Sequence, residues 1–233
     1  MHPPAQVVEI RPSIGNINKL YSVSRAYHYQ KEGLKMEFYI LESRTPMQWG
    51  DYAHQLVHGM AGLEGGRMVL ERTGPFIPPI TLPNYWSPVL VTDAFRKELE
   101  ASGLTGFAFG PVEKKRIVRL DWEKWDLKAE APLKYPSQGE PENYILGRKH
   151  SPKIADMLGD IWELVLEECA DFEARNPDPE TDDKRVHLKL TRWDGRDMFR
   201  VGRVRHSCVT EKAKAWLEQR ASDWVSFQRA IEK

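Results

Sequence analysis

Asp51, His54 and His58 follow the spacing D-x-x-H-x-x-x-H. On a helix that spacing sets a carboxylate and two imidazoles on one face. Two imidazoles at i, i+4 with a carboxylate suit zinc or another divalent ion. The chemistry implied is that of a metal-dependent hydrolase or a peptide-modifying enzyme. No Glu stands between the histidines as it does in HExxH, and histidines at helical spacing commonly serve only the surface. A second group is purely acidic. Asp156, Asp160, Glu163, Glu167 and Asp171 recur at i, i+4, i+7, i+11 and i+15. Read on a helix they form a row of one sign, in which each like-charged pair loses about 0.2–0.5 kcal/mol. Such a row calls for a positive surface opposite it, either a cationic partner or the chain's own basic segment. The loop PDPETDD, with Asp178, Glu180, Asp182 and Asp183, extends the acidity.

Other reactive side chains carry weaker signals. Cys208 with His206 offers a nucleophile–base pair by residue type, but Cys208 lies at an apolar strand end, which favours packing. Cys169 falls among apolar residues and reads as packing. Trp122 and Trp125 flank Lys124, an arrangement that serves ligand stacking or a core edge equally well. No phosphate-binding glycine loop and no serine nucleophile elbow is present.

The elements that must position these groups follow from periodicity. Residues 26–30 and 35–42 have the β-branched and aromatic content of strands. Thr45-Pro46 reads as a helix start, and Trp49, Tyr52, Ala53, Leu56 and Met60 continue as an apolar face that stops near Gly62 or Gly65. A strand at 67–72, a Pro-rich extended segment and a strand at 116–122 follow. Ser151-Pro152 opens what reads as the longest helix, from 152 to about 175. Its apolar side carries Ile154, Leu158, Ile161, Trp162, Val165, Cys169 and Phe172, with the acidic row directly opposite. RVHLKL (185–190) and MFRVGRVR (198–205) read as a hairpin-like pair around Asp194-Gly195.

One stretch of sequence occurs twice. Val91-Thr92-Asp93 matches Val209-Thr210-Glu211, Leu99-Glu100 matches Leu217-Glu218, and with one small shift Phe107 matches Phe227. Each copy reads as a strand end, a Thr cap, a first-turn acid, a helix and an apolar strand. The expected class is therefore α+β, with short-stranded mixed or antiparallel sheets, a long amphipathic helix and two similar helix-strand units. A single domain spanning 1–233 has room for two lobes, about 1–130 and 131–233.

Composition narrows the function classes. Hydrophobic residues make up 41% of the 233, and only two cysteines occur. Disordered and fibrous classes, a disulfide scaffold and a thiolate zinc site are excluded on those counts. The start lacks the pattern of a signal peptide, and no apolar run has membrane-spanning length, so a soluble cytoplasmic protein is expected. Lys+Arg equals Asp+Glu at 34 each, which argues against a general nucleic-acid binder. The charges are nonetheless segregated. Residues 156–183 hold eleven acids and one base, whereas 184–233 hold thirteen bases and six acids.

The segments WSPVLVTDAFRKELEASGLTGFAFGPV (86–112) and MFRVGRVRHSCVTEKAKAWLEQRASDWVSF (198–227) resemble a myxobacterial family of immunity proteins from polymorphic-toxin systems. The shared features are two V-[Ser/Thr]-[Glu/Asp] helix starts, each followed by an apolar strand, and the stretch from Gly106 to Val112. GEPENYILGRKHS (139–151) matches more loosely, and residues 1–80 add little. A related branch carries paired CxxC motifs, which this chain lacks. The resemblance implies a non-enzymatic, cofactor-free cytoplasmic protein that binds and neutralises a co-encoded toxin. It identifies no catalytic residue, and implies no direct nucleic-acid or membrane contact. Inhibitors of nucleases present carboxylates to the basic cleft they block. A basic nuclease therefore fits as partner, with a contact surface of Asp156, Asp160, Glu163, Glu167, Asp171, Asp178, Glu180, Asp182 and Asp183. The competing classes are the metal enzyme above and a scaffold or regulatory module using the same acidic face.

Overall fold

The structure, a computed structural model, describes residues 36–85, 88–175, 186–202 and 206–232. In chain order the first elements are β1 (Phe38–Ser43), α1 (Asp51–His58), β2 (Met60–Glu64), β3 (Arg67–Gly74) and β4 (Ile80–Thr81). β5 (Leu90–Thr92), α2 (Asp93–Ala101) and β6 (Phe107–Arg119) follow, then α3 (Asn143–Leu146), α4 (Pro152–Met157) and β7 (Ile161–Leu166). The chain continues with β8 (Glu168–Arg175), β9 (Val186–Lys189), β10 (Met198–Val201), β11 (Ser207–Thr210), α5 (Glu211–Ala221) and β12 (Val225–Glu232). The described residues form an α+β fold of two curled sheets, richer in strand than in helix. One sheet is six-stranded in the order β2-β3-β6-β7-β5-β4; the other closes as a barrel, β1-β11-β10-β8-β9-β12.

The two sheets exchange strands. β1, from the start of the described chain, pairs with β11 and β12 in the barrel, while β7 enters the first sheet between β5 and β6. This placement makes the sequence repeat a structural one. In the first copy β5 and β6 flank β7, and α2 crosses from one to the other. In the second, β11 and β12 flank β1, and α5 crosses. The Thr92 and Thr210 hydroxyls each accept a backbone N–H three residues on, from Phe95 and Ala213. Those are N-caps, which satisfy donors that a helix start leaves free.

Register corrects one detail of the repeat. Val91 faces Trp162 and Val209 faces Tyr39, which makes Trp162 and Tyr39 equivalent on the two middle strands. Two residues further along, Phe109 faces Leu164 and Phe227 faces Leu41. Phe227 therefore corresponds to Phe109 and not to Phe107, and no shift is needed. The step from Thr92 to Thr210, 118 residues, holds from the cap through the following strand.

The same step relates a set of side chains. Arg96 bridges Asp93 at 3.0 Å and Glu100 at 2.6 Å, with its guanidinium 4.7 Å from the centre of the Trp162 ring. Lys214 bridges Glu211 at 3.3 Å and Glu218 at 3.2 Å, with its ammonium 4.9 Å from the Tyr39 ring centre. Helical i, i+3 and i, i+4 spacing explains the ion pairs. The aromatic residue comes from the middle strand of each unit, and a cation over an aromatic face is attracted by its quadrupole.

Both units deliver their apolar faces to one core. Phe95 and Leu99 of α2 pack with Ala213, Leu217 and Ala221 of α5, joined by Tyr39, Leu41, Leu164 and Leu166. Because strand side chains alternate, Phe38 and Ile40 point the other way, into the barrel, with Cys169, Phe199, Val201 and Cys208. A third cluster lies under α1 and holds Trp49, Ala53, Leu56, Val57, Trp122 and Tyr144. Asp197 ties the copies together. Its carboxylate is buried and accepts hydrogen bonds from the Thr105 N–H and hydroxyl, the Thr210 hydroxyl and the Lys212 ammonium.

The long helix expected over 152–175 does not form. Ser151 caps the start as expected, accepting the Ile154 N–H, and Pro152 stands at the first position. The helix ends at Met157, and Gly159 takes a left-handed φ of 65°. Beyond it β7 and β8 run as strands. The apolar residues that share a helical face also fit an alternating pattern, in which Trp162, Leu164 and Leu166 enter the central core. Val165, which the helix would bury, is 36% exposed. The expected hairpin is also absent, since β9 and β10 are separated by β8, which pairs with both. The first helix is shorter than its apolar pattern, and Met60 belongs to β2.

Candidate functional site

α1 is bounded by glycines. Gly50 precedes it with φ of 59°, and Gly59 ends it with φ of 70°. A Cβ at Gly59 would stand 2.7 Å from both the Arg72 Cβ and the Glu71 carbonyl oxygen, so helix and β3 approach too closely for any side chain. Behind the helix, Arg72 is fully buried. Its guanidinium donates to the carbonyl oxygens of Thr73, Val57 and Phe76, and burial alone pulls its pKa down to about 9. Val57 lies in the last turn, where helix carbonyls present partial negative charge, so the cation caps the carboxyl end of α1.

The metal trio is split by this arrangement. Both ring nitrogens of His58 serve the backbone: Nε2 lies 2.9 Å from the Arg44 carbonyl oxygen, and Nδ1 accepts the Leu82 N–H at 3.2 Å. Burial, the neighbouring His54 and buried Arg72 drive its pKa down to about 3, against the opposing Arg44 carbonyl. A neutral imidazole with both nitrogens occupied has no lone pair to offer a metal. Asp51, His54 and His58 therefore do not form the expected ligand set. Among the described residues no group of three or more His, Cys, Asp or Glu is placed to hold an ion.

Asp51 and His54 do meet, through a residue that spacing did not suggest. The Tyr85 hydroxyl donates to Asp51 Oδ1 at 2.6 Å, and its ring stacks on His54 with centroids 3.8 Å apart and planes 15° from parallel. Tyr85 has φ of 66°, the left-handed region that an aromatic residue rarely enters. The turn that imposes it is held from three sides. Tyr85 N–H donates to the Leu82 carbonyl, Ser43 N–H donates to the Tyr85 carbonyl, and the Asn84 amide donates to the Ala61 carbonyl. The Leu82 carbonyl oxygen also lies 3.2 Å from His54 Nε2. Burial lowers the His54 pKa, opposed by that carbonyl and by Asp51. With Nε2–H as donor the ring is neutral, and Nδ1 keeps its lone pair. Burial, then Asp51, pushes the Tyr85 phenol up to about 12, so it keeps its proton.

These residues line an open pocket of about 450 Å³ with Gln55, Met60, Pro83, Asn84, Glu140, Pro141 and Glu142. Among the described residues that line it, three are carboxylates and none is Lys or Arg. The Tyr52 hydroxyl fixes the loop that brings the two glutamates, donating to the Gly139 carbonyl at 2.6 Å. Tyr135 packs edge-on against Tyr52. A buried neutral histidine, a protonated phenol and three carboxylates give the described lining of this pocket a net negative charge.

The acidic row is dispersed. Asp156 ends up on α4 and Asp160 in the following turn, both exposed. Glu163 lies in β7, partly buried, with its carboxyl pushed up by burial against the opposing Arg200 charge. Glu167 falls between strands and pairs with Arg196 at 2.6 Å, and Arg196 also holds Asp194 at 2.6 Å. Asp171 belongs to β8, with its backbone in register with Lys189. The five thus lie on a helix, on the link after it, in two strands and at the residue between those strands, so they form no single helical row. The chain's own Arg196 answers Glu167, and Arg192 answers Glu168 at 3.1 Å. Asp178, Glu180, Asp182 and Asp183 lie outside the described residues.

The cysteines match a packing role. Cys169 and Cys208 are free and buried, and burial raises both thiols, Cys169 to about 12. His150 is likewise committed, with Nδ1 accepting the Ile117 N–H at 2.9 Å. Trp122 is buried and donates to the Thr73 hydroxyl at 3.2 Å, so it is core and not a stacking platform. Among the described residues no helix is long and apolar enough to cross a membrane. No protein-family model matches this chain, and no curated protein sequence matches it either.

Proposed function

We propose that this chain is an immunity-type protein that binds and neutralises a co-encoded protein toxin. Its contact surface consists of carboxylates left without a cation of their own among the described residues. These are Asp51, Glu140 and Glu142 at the pocket, with Asp156 and Asp160 after α4. The observation that carries the reading is the position of the two resembling segments. The described residues of these segments hold most of the two copies of one strand-helix-strand unit, β5-α2-β6 and β11-α5-β12, which pack on each other in the central cluster. The resemblance therefore concerns the frame on which everything else is mounted. A carboxylate surface steers association with a basic partner and rejects acidic ones.

The test is co-expression with the product of the adjacent gene in a host that this product arrests. Growth restored by the wild-type chain, together with a complex on size-exclusion chromatography, is the expected outcome. Arrest that persists while both proteins are soluble overturns the proposal.

A further inference from the structure

We infer that two copies of this chain trade β1 and so form a strand-exchanged dimer. The fold already makes that exchange within itself. Tyr39 of β1 and Trp162 of β7 are equivalent, and each middle strand precedes one strand-helix-strand unit in the chain. β1 comes before β5-α2-β6, and β7 comes before β11-α5-β12. In space the two have changed places. β1 lies between β11 and β12, and β7 lies between β5 and β6. Reciprocal exchange of an identical element is how two protomers build a swapped dimer, here carried out by two repeats of one chain.

β1 is the strand that a second chain can supply. Its ladder partners among the described residues all lie in β11 and β12. Phe38 and Ile40 fill the barrel while Tyr39 and Leu41 enter the central cluster, so both faces of the strand are specified. Such a strand tolerates no slip of register, and another copy brings the same four side chains in the same order. The tie from β1 to α1 is the short link 44–50, without helix or strand. At one end Arg44 is fixed beside β12, its N–H donating to the Trp224 carbonyl. At the other, Met47 and Trp49 are buried under α1, and Pro46 between the anchors is exposed. Only the path of Thr45 and Pro46 must change in the trade, because the other contacts are regained from the second copy. A single chain keeps its own β1 by proximity, an effective concentration on the order of mM for a short link. Refolding toward that concentration therefore yields the dimer, and reversal requires the barrel to open again.

The experiment unfolds two kinds of full chain in urea, Glu42→Cys and Ser226→Cys, refolds them as a mixture and then oxidises them with glutathione disulfide. Glu42 and Ser226 face each other across β1 and β12, at a separation that a disulfide spans. The native Cys169 and Cys208 are buried and do not compete. A disulfide between the two kinds of chain forms in the barrel only where β1 of one has entered the other. The linked fraction should rise about tenfold between about 10 and about 100 µM chain, by mass action. It should also exceed several-fold the fraction found with Glu113→Cys, an exposed site on β6, in place of Ser226→Cys. A fraction equal to that control, or one that ignores concentration, overturns the trade. The wild-type chain, refolded over the same range and then diluted, should retain a dimer in sedimentation velocity. Monomer alone at every concentration overturns the inference whatever the variants do. A dimer that forms without the link between positions 42 and 226 places the contact elsewhere and overturns it too.

Discussion

The two copies of the strand-helix-strand unit share a cap, a charged triplet, an aromatic partner and a core, yet their surroundings diverge. Around the second copy the sheet closes into a barrel filled by Phe38, Ile40, Phe199 and Cys208. Around the first it stays open, and β2, β4 and α1 are added at and beside its edges. The pocket with Asp51, Tyr85 and Gln55 belongs to those additions. What recurs is frame, and what does not recur carries the pocket on which the proposed recognition rests. Arg96 and Lys214, each paired twice and each over an aromatic ring, are therefore positioning elements of the frame.

The most damaging way to break the comparison is at its joint. Gly106 has φ of 98°, and an added Cβ would run into the Met198 carbonyl oxygen and the Arg196 side chain, at and just before β10 of the barrel. Gly106→Ala should cost about 3–5 kcal/mol in urea unfolding. Gly103→Ala, at φ of 69° with open space around it, should cost about 1–2 kcal/mol.

Leu99 and Leu217 sharpen the comparison next. Both are fully buried in the central cluster at equivalent positions. Each Leu→Ala change should cost about 2–5 kcal/mol, and the two costs should be alike. A gap above about 2 kcal/mol breaks the equivalence of the copies.

A smaller effect depends on pH. His58 titrates near 3 when folded against 6.5 in its unperturbed state. Between those values the unfolded chain takes up the proton first, so the stability present above pH 6.5 is lost as the pH falls. The slope approaches about 1.4 kcal/mol per pH unit for one such group. Denaturation midpoints between pH 6.5 and 5, above the range of ordinary carboxylates, should fall less steeply in His58→Gln. Identical slopes would show that the fold does not hold His58 below its ordinary pKa.

The mildest pair is Thr92→Ala and Thr210→Ala. Thr92→Ala loses one cap and about 1 kcal/mol, and Thr210→Ala loses its cap together with the hydrogen bond to Asp197 and should cost somewhat more. A cost at one site only shows that the second hydroxyl is not capping in solution.

Legibility in the sequence followed the range of the interactions. The Thr92 and Thr210 caps, the Ser151-Pro152 helix start and the strand over 67–72 are local, set by a side chain and its next few neighbours, and all were readable. Residues 161–166 were not, because Ile161, Trp162 and Val165 satisfy a 3.6-residue period while Trp162, Leu164 and Leu166 satisfy a period of two. Gly159 was the available breaker, and tertiary burial decided the outcome. β9 and β10 read as a hairpin because they are close in sequence, whereas β8 separates them through longer-range pairing. The pocket followed the same rule. Asp51 and His54 stood out by spacing, but Tyr85, Glu140 and Glu142 arrive from segments up to 91 residues beyond Asp51, and no local pattern announces them.

The most direct test of the central claim, that recognition belongs to the unrepeated part of the first sheet, is amide hydrogen exchange of the chain with and without the adjacent gene product. The account predicts added protection in residues 51–60 and 139–146 and at Tyr85, with α2 and α5 unchanged. Added protection confined to α2 and α5, or none anywhere at saturating partner, would contradict it.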